Sequence, residues 1–385
     1  MSTLVKITSV KTVLHDRRTD TLDVFGIEDG RLPMGVLVLT TDEGLEGHCT
    51  LSFPGPGPEA IALQIKQFLA PILVGSDPLE IGRLWHRLQA VARWYVDPIA
   101  VGSVDIALWD IAGKAAGLPV HSLLGTCRHT VPVYFSSGSH PSAEAYADEA
   151  TYWGEQGWKG YKLHPPTSPF RRSGVTIDDD IAACAAVRGA VGDSMTLMLD
   201  SSWCYSYPEA LRVGRAIEAL DFEWYEDPLP VDDINGYVKL KQQLSIPLMA
   251  TEITKGGLYA LPQWIVSGAT DYLRGDVVIK GGITGLMKIA HLAEAFSMNC
   301  EVHSGYNASG NLANLHVTAA IDNCDWYEVI TFNRSGFHEL DHLDYGLVDS
   351  FDIDGDGLLH VPDRPGLGID IDWELINSSP AGVIE

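Results

Sequence analysis

The chain from about Val131 onward repeats one pattern of hydrophobic and polar positions. A short apolar run is followed by a polar loop, an amphipathic helical stretch and then another short run. Eight such runs alternating with helices over roughly 200 residues predict an α/β fold with a parallel barrel rather than an open sheet. The predicted strands are Val131–Ser137, Gly160–His164, Thr196–Asp200, Glu223–Glu226, Leu248–Glu252, Tyr272–Val278, Asn299–His303 and Trp326–Val329.

The residues before Val131 follow a different pattern. Two predicted strands, Val5–His15 and Met34–Thr41, are separated by a polar loop, Asp16–Leu32, and a second loop, Ser52–Pro58, is too rich in Pro and Gly to be regular. After residue 350 the repeat stops, and Phe351–Trp373 is predicted to be a hairpin-like tail. Helices are predicted at Glu59–Leu73, Leu79–Val91, Gly102–Ala116, Ala143–Glu155, Pro208–Leu220, Thr284–Ser297 and Gly310–Ile321.

Composition narrows the class of protein. At 385 residues, 46% hydrophobic and 20% charged, the chain is typical of a globular protein with two domains or a barrel and an accessory part. The net charge of −25 disfavours binding to nucleic acid or to anionic membrane surfaces.

The six cysteines form no CxxC pair, and no apolar run suits a signal peptide or a membrane span. We therefore expect a cytoplasmic protein with reduced thiols.

Three acidic residues each close an apolar predicted strand: Asp200 in LMLD, Glu226 in WYEDP and Glu252 in MATE. Consecutive parallel strands are neighbours, so the three carboxylates should converge at the carboxyl end of the barrel, where such folds build their sites. Three like charges repel unless a cation neutralises them, and an all-oxygen ligand set favours Mg²⁺ over Mn²⁺ or Ca²⁺. The alternative is three solvated loop acids.

Five further residues are candidates for catalysis at the same edge. Lys162 and His164 in GYKLHPP alternate along one strand, so both should face inward. Asp276 in the predicted sixth strand would orient His303, which ends the seventh, and raise its basicity. Glu328, at the end of the eighth, would be a protonated hydrogen-bond donor if burial raises its pKa.

One acidic segment imitates a calcium loop. Asp352–Asp363 has acids at positions 1, 3 and 5 and Gly at position 6. Its last position is Asp rather than Glu, Pro362 precedes it, and neither flank has a helical pattern. We therefore predict a tight hairpin turn without calcium.

Taken in order, these motifs resemble the enolase superfamily and its mandelate racemase-like group. The resemblance covers essentially the whole chain, and includes Val101–Gly125 and the closing VPDRPGLGIDID. It implies a modified TIM barrel, (β/α)7β, at residues 126–350, under an α+β capping domain at 1–125 that the segment 351–385 completes. Asp16–Leu32 and Ser52–Pro58 would be the cap loops that close on a substrate.

The resemblance also implies a partial reaction. Mg²⁺ would bind a substrate carboxylate, a base would remove the α-proton, and Mg²⁺, Lys162 and Glu328 would share the charge of the enediolate. Three positions depart from the family pattern: His164 replaces a second lysine, Ser202 stands where relatives carry Asn, and the lysine near Gly281-Gly282 is displaced to Lys280. These departures point away from mandelate.

The leading functional hypothesis is an acid-sugar dehydratase that converts an aldonate or aldarate to a 2-keto-3-deoxy acid. The polar cap loop suits a polyhydroxylated substrate, since it carries Arg17, Arg18, Asp20 and Asp23. His164 and His303 would face the substrate from two sides. The alternatives are a racemase or epimerase of a 2-hydroxy acid, a lactone cycloisomerase, or a metal-binding protein without turnover. The resemblance further implies a homo-oligomer.

Overall fold

The fold is described from a computed structural model that covers residues 5–18, 31–52, 57–168, 174–305, 308–330 and 344–385. Eight parallel strands form a nearly closed barrel, and a separate four-stranded antiparallel sheet lies beside it. The predicted fold class is therefore confirmed. The strands in chain order are β1 (Ile7–Arg18), β2 (Arg31–Thr41), β3 (Glu46–Leu51), β4 (Thr130–Ser136), β5 (Gly160–Leu163), β6 (Thr196–Asp200), β7 (Tyr225–Glu226), β8 (Leu248–Ala250), β9 (Tyr272–Gly275), β10 (Cys300–Val302), β11 (Tyr327–Ile330), β12 (Leu358–His360) and β13 (Pro380–Ile384).

From β4 to β10 each barrel strand pairs in parallel with the next one along the chain, and the eighth strand, β11, pairs with the first, β4. Within the described residues β10 and β11 share no strand ladder, so the barrel has one seam. The antiparallel sheet, here called the cap sheet, has the order β13-β1-β2-β3. One end of the barrel interior is filled by large side chains. They are Tyr134, Met198, Trp224 and Met249.

The helices begin and end where local sequence favours it. Thr176 with Asp179, and Ser206 with Glu209, form capping boxes at the start of two barrel helices. The long helix after the cap sheet is capped by Asp97 and ends at Gly117 in a left-handed conformation. The helices are α1 (Pro58–Gln64), α2 (Ala70–Leu73), α3 (Ile81–Tyr95), α4 (Pro98–Ala116), α5 (Val120–Leu124), α6 (Ala143–Glu155), α7 (Ile177–Val191), α8 (Tyr207–Ala219), α9 (Ile234–Lys241), α10 (Leu261–Val266), α11 (Gly282–Ala295), α12 (Ala308–Ala320) and α13 (Trp373–Ser378).

The cap sheet is joined to the mouth of the barrel by direct contacts. The Thr50 hydroxyl in β3 lies 2.7 Å from the Ser309 hydroxyl at the start of α12, and the Ser309 amide donates to the Thr50 hydroxyl. The helix α4 packs so closely on the barrel that a Cβ at Gly102 would lie 2.2 Å from the Val278 carbonyl oxygen. The contact between Thr50 and Ser309 brings the end of β3 to the start of α12, just beyond the carboxyl end of β10.

Several predicted bounds are wrong. The strand β1 continues to Arg18 and β2 begins at Arg31, so both ends of the predicted loop Asp16–Leu32 are strand, and β3 was not predicted. The prediction for the rest of that loop, including Asp20 and Asp23, and for most of Ser52–Pro58 falls on residues outside the described part of the chain.

The tail differs from its prediction mainly in its partners. A bridge between Ile353 and Leu359 closes the predicted hairpin, but β12 also pairs antiparallel with β4. The strand β13 pairs antiparallel with β1. Among the described residues, no helix has the length and apolar character needed to cross a membrane.

Candidate active site

Three carboxylates meet at the carboxyl ends of neighbouring barrel strands. Asp200 ends β6 and Glu226 ends β7, where the two residues are register partners, and Glu252 follows β8 by two positions. Each residue offers a carboxylate oxygen, and these oxygens all lie within 4.8 Å of one another. All three residues are buried, so their mutual repulsion is poorly screened. Spacing and oxygen chemistry both suit a hard divalent cation such as Mg²⁺.

The backbone beside each of these carboxylates adopts an uncommon conformation. Positive φ angles occur at Ser202 (46°) and Trp203 (61°) after Asp200, at Asp227 (41°) after Glu226, and at Thr251 (88°) before Glu252. Residues other than glycine rarely occupy this region, and such strain clusters where the surrounding structure must fix a site. The chain thus bends sharply at each of the three metal-ligand candidates.

Two fully buried cations lie beside the carboxylate trio. The Lys162 ammonium is 3.0 Å from Glu226, 3.4 Å from Asp200 and 2.7 Å from Glu328. The Arg274 guanidinium pairs with Glu226 and Glu328 and lies 3.8 Å from Glu252. The inward orientation expected for Lys162 is observed. Arg274 was not predicted, although its position two residues before Asp276 on one strand could have indicated the same inward face.

Glu328 lies earlier in its strand than predicted, and its surroundings disfavour the protonated form that we expected. It is the second residue of β11 rather than its end, and it accepts hydrogen bonds from Arg274 and from the Ser304 amide. Burial alone would raise the pKa of Glu328, but Arg274 and Lys162 outweigh burial and hold the pKa well below its usual range. An ionised carboxylate only accepts hydrogen bonds, so Glu328 orients the two cations.

Asp276 and His303 form the predicted contact, although their strands end earlier than predicted. The strand β9 ends at Gly275 and β10 ends at Val302, so both residues lie just beyond their strands. Asp276 Oδ2 is 3.1 Å from His303 Nδ1 and accepts a second hydrogen bond from Asn314. His303 Nε2 lies 3.7 Å from Glu252. Asp276 therefore orients the ring so that Nε2 is on the side of the carboxylate trio.

His164 is held at the opposite end of the trio. Its Nδ1 lies 2.6 Å from the carbonyl oxygen of Ser137, and its Nε2 lies 3.1 Å from Asp200. A carbonyl and a carboxylate only accept hydrogen bonds, so the protonated imidazole, which donates from both nitrogens, satisfies both contacts. Burial lowers the pKa of His164, but the Asp200 carboxylate outweighs it and the pKa lies above its usual value.

Matches to known families cover most of the chain. Residues 145–375 match the model described as enolase C-terminal domain-like, and residues 28–125 match the mandelate racemase / muconate lactonizing enzyme N-terminal domain. The chain belongs to the enolase superfamily, in its mandelate racemase-like group. The resemblance inferred from the sequence motifs is therefore confirmed.

Individual members of the enolase superfamily are similar over nearly the whole chain. Arabinonate dehydratase from Saccharolobus solfataricus is 29% identical over 93% of each chain. The crystal structure of D-glucarate dehydratase from Agrobacterium tumefaciens complexed with magnesium is 35% identical, covers 99% of this chain and 100% of its own, and has a TM-score of 0.88. The 3,6-anhydro-D-galactonate cycloisomerase from Zobellia galactanivorans is 26% identical, with coverages of 98% and 100% and a TM-score of 0.83. This chain is an enzyme similar to dehydratases and to a cycloisomerase.

Proposed function

We propose that this enzyme catalyses the Mg²⁺-dependent dehydration of a sugar acid, an aldonate or aldarate, to a 2-keto-3-deoxy acid. The observation that carries the proposal is the placement of the Asp276–His303 pair against one end of the carboxylate trio, with Lys162 and His164 at the other. A base, a metal site and fixed positive charge thus surround one space. The named dehydratases among its relatives support the substrate class.

Each residue of the site has a role in this proposal. Asp200, Glu226 and Glu252 would hold Mg²⁺, which when bound supplies positive charge to the substrate carboxylate and so acidifies the α-proton. His303 accepts that proton through Nε2 while Asp276 holds Nδ1. Lys162 supplies a second positive charge for the enediolate, and charge stabilisation of this kind is worth about 2.7–4 kcal/mol per donor.

The second half of the reaction removes the β-hydroxyl as water. His303 returns its proton to that oxygen, the β-carbon–oxygen bond breaks, and the enediolate electrons form the enol, which tautomerises to the keto acid. The sugar acid thus becomes the 2-keto-3-deoxy acid plus one water. A single base is sufficient for both steps.

The hydrogen bonding of His164 favours dehydration over racemisation. Proton transfer from one face of a carbon to the other by two bases requires an acceptor on each face. Both ring nitrogens of His164 are directed at oxygen acceptors, Ser137 O and Asp200 Oδ2, so His164 adds positive charge near Asp200 instead of accepting a proton. The racemase or epimerase and the lactone cycloisomerase remain as alternatives that use the same first step.

A substrate panel in D₂O tests the proposal. We would incubate the Mg²⁺-loaded enzyme with mono- and diacid sugars and their lactones, detect keto acids by semicarbazone formation, and follow α-proton exchange by NMR. Dehydration yields a keto acid. Exchange without a keto acid identifies a racemase or epimerase, consumption of a lactone identifies a cycloisomerase, and neither exchange nor product across the panel contradicts an enzyme acting on sugar acids.

We also propose, from the family resemblance, that the enzyme is a homo-oligomer. Sedimentation velocity at micromolar concentration measures this directly. A single monomeric species would contradict it.

A further inference from the structure

Lys280 is a buried lysine next to the metal-ligand candidates, and its side chain contacts backbone rather than a carboxylate. Only 4% of the Lys280 surface is exposed. The ammonium donates hydrogen bonds to the carbonyl oxygens of Thr251, at 2.6 Å, and Thr254, at 3.3 Å. These two carbonyls lie on either side of Glu252 in the chain. Lys280 therefore bridges the loop that carries this carboxylate.

The orientation of the Glu252 carboxylate depends on this backbone, whereas Asp200 and Glu226 are also held by hydrogen bonds to their side chains. Asp200 accepts from the Ser202 amide and from Lys162, and Glu226 accepts from Lys162 and Trp224. Among the described residues no hydrogen bond holds the Glu252 carboxylate, whose nearest cationic partners are His303 at 3.7 Å and Arg274 at 3.8 Å. The direction of the Glu252 side chain is thus set by its own backbone.

That backbone is held in an unfavourable conformation by named contacts. Thr251 has φ 88°, a backbone conformation that is unfavourable for a β-branched residue. Its hydroxyl donates to the Arg274 carbonyl oxygen and accepts from the Arg274 amide, both at 3.1 Å. Together with Lys280, these contacts fix the peptide immediately before Glu252.

The sequence around Lys280 makes room for this contact. The Lys280 side chain packs over Gly275. A Cβ at Gly275 would lie 3.0 Å from Lys280 Cγ and 3.6 Å from Lys280 Cε. Gly281 and Gly282 follow with φ 80° and 90°, and a Cβ at Gly282 would overlap the Asp105 carboxylate. Glycines at these positions allow the lysine to reach the loop after β8.

We propose that Lys280 is a positioning residue for the metal centre: its ammonium clamps the carbonyls on both sides of Glu252 and thereby directs this carboxylate into the trio. The inference rests on the proposed function, since it takes the trio as the metal site. Residues that orient ligands typically change metal affinity by about 10–100-fold when they are replaced. Lys280 is expected to act within this range through Glu252, without touching substrate.

Metal binding without substrate tests this role. We would measure Mn²⁺ affinity by calorimetry and by electron paramagnetic resonance for the wild type, Lys280→Met, Lys280→Gln and the control Lys114→Met. Lys114 is a control away from the trio: its ammonium donates to the Glu46 carbonyl at 2.8 Å and pairs with Asp110 at 2.7 Å. Lys280→Met should weaken Mn²⁺ binding at least about 10-fold, Lys280→Gln should recover part of the loss, and Lys114→Met should bind as the wild type does.

The possible failures are distinct. A wild type that binds no Mn²⁺ overturns the metal centre itself, and the clamp with it. Unchanged Mn²⁺ affinity in Lys280→Met, with or without a lower melting temperature, overturns the clamp alone and leaves Lys280 a purely structural residue. If Lys280→Met does not fold by circular dichroism, Lys280→Gln decides, and wild-type affinity in that variant overturns the clamp.

Discussion

Arg274 and Glu328 form an ion pair inside the barrel, with both side chains buried. The pair joins the sixth barrel strand to the eighth, although the two strands are not neighbours. Lys162 completes the arrangement at 2.7 Å from Glu328, so one carboxylate compensates two cations. Glu328 therefore anchors the positive charge that faces the carboxylate trio.

Glu328→Gln should destabilise the protein by up to about 3–5 kcal/mol, because it removes one of the two buried carboxylates, Glu226 and Glu328, that pair with both Lys162 and Arg274. Urea unfolding of the metal-free protein measures this. As a control, Asp349→Asn removes a carboxylate from the exposed pair with Arg364, where the loss should stay below about 1 kcal/mol. Wild-type stability and turnover in Glu328→Gln would instead indicate that a neutral hydrogen-bonding group is sufficient at this position.

Chelation should abolish turnover, and Mg²⁺ should restore it, because the trio loses the cation that offsets its mutual repulsion. Glu226→Gln should lower Mn²⁺ affinity by more than about 100-fold, beyond the usual effect of residues outside the coordination sphere. Glu223→Gln is the matched control, since Glu223 lies three residues earlier in the chain and is not part of the trio. Full turnover after exhaustive chelation would show that the reaction does not require a metal.

His303→Asn should lower turnover by about 10²–10⁴-fold, the usual contribution of a positioned acid–base group. Mn²⁺ affinity should change little, since His303 is not among the trio. Exchange of the α-proton should disappear for substrates of both configurations, because both nitrogens of His164 are directed at acceptors. Persistent exchange with the opposite configuration would establish His164 as an independent base. His360→Asn, in the more exposed pair with Asp354, is the control.

The pH dependence of turnover should report the Asp276–His303 contact. Burial lowers the pKa of His303, but Glu252, Glu328 and the hydrogen bond that His303 donates to Asp276 outweigh burial and raise the pKa to about 9. A base accepts a proton only when neutral, so kcat/KM should rise with pH. Bound Mg²⁺ would offset the charge of Glu252, so the rise should be centred below the value of about 9 that holds without metal. Asp276→Asn removes one cause of the elevation, so the rise should move to lower pH while the plateau falls. An unchanged pH profile in Asp276→Asn would mean that Asp276 does not influence the pKa of the titrating group.

The ease of prediction varied from residue to residue for physical reasons. Asp200, Glu226 and Glu252 follow short apolar strands at equal intervals, and parallel strands put such positions at one edge. The charge of Glu328 could not be predicted, because it depends on a contact with Arg274 and the two residues lie on strands that are not neighbours. Lys280 acts on backbone carbonyls from a distant part of the chain, and no pattern of side chains indicates such a partner.

Asp105 gives a prediction about stability rather than turnover. It caps the start of α11 by accepting from the Thr284 amide at 2.9 Å, and burial raises its pKa to about 7. Since this exceeds the usual value of 3.8, the folded protein holds the proton more tightly than the unfolded chain. Stability should therefore fall as pH rises between these values, by up to ~1.4 kcal/mol per pH unit.

Asp105→Asn should reduce that slope, because the variant has no proton to lose. Unfolding free energies at several pH values measure it, with Asp322→Asn, at an almost fully exposed side chain, as the control. Glu301, whose pKa burial also raises to about 7, should leave a residual slope. Equal slopes in Asp105→Asn and the wild type would mean that Asp105 is already ionised in the folded protein.

The pairing of β13 with β1 has a consequence for how the protein is made. A ribosome releases β1 long before residues 380–384, and all eight barrel strands emerge in between. Until β13 arrives, one side of β1 is an unpaired edge, the kind of surface that recruits strands from other chains. The cap sheet is therefore completed only after the barrel sequence has been synthesised, and until then the unpaired edge of β1 is open to strands of other chains.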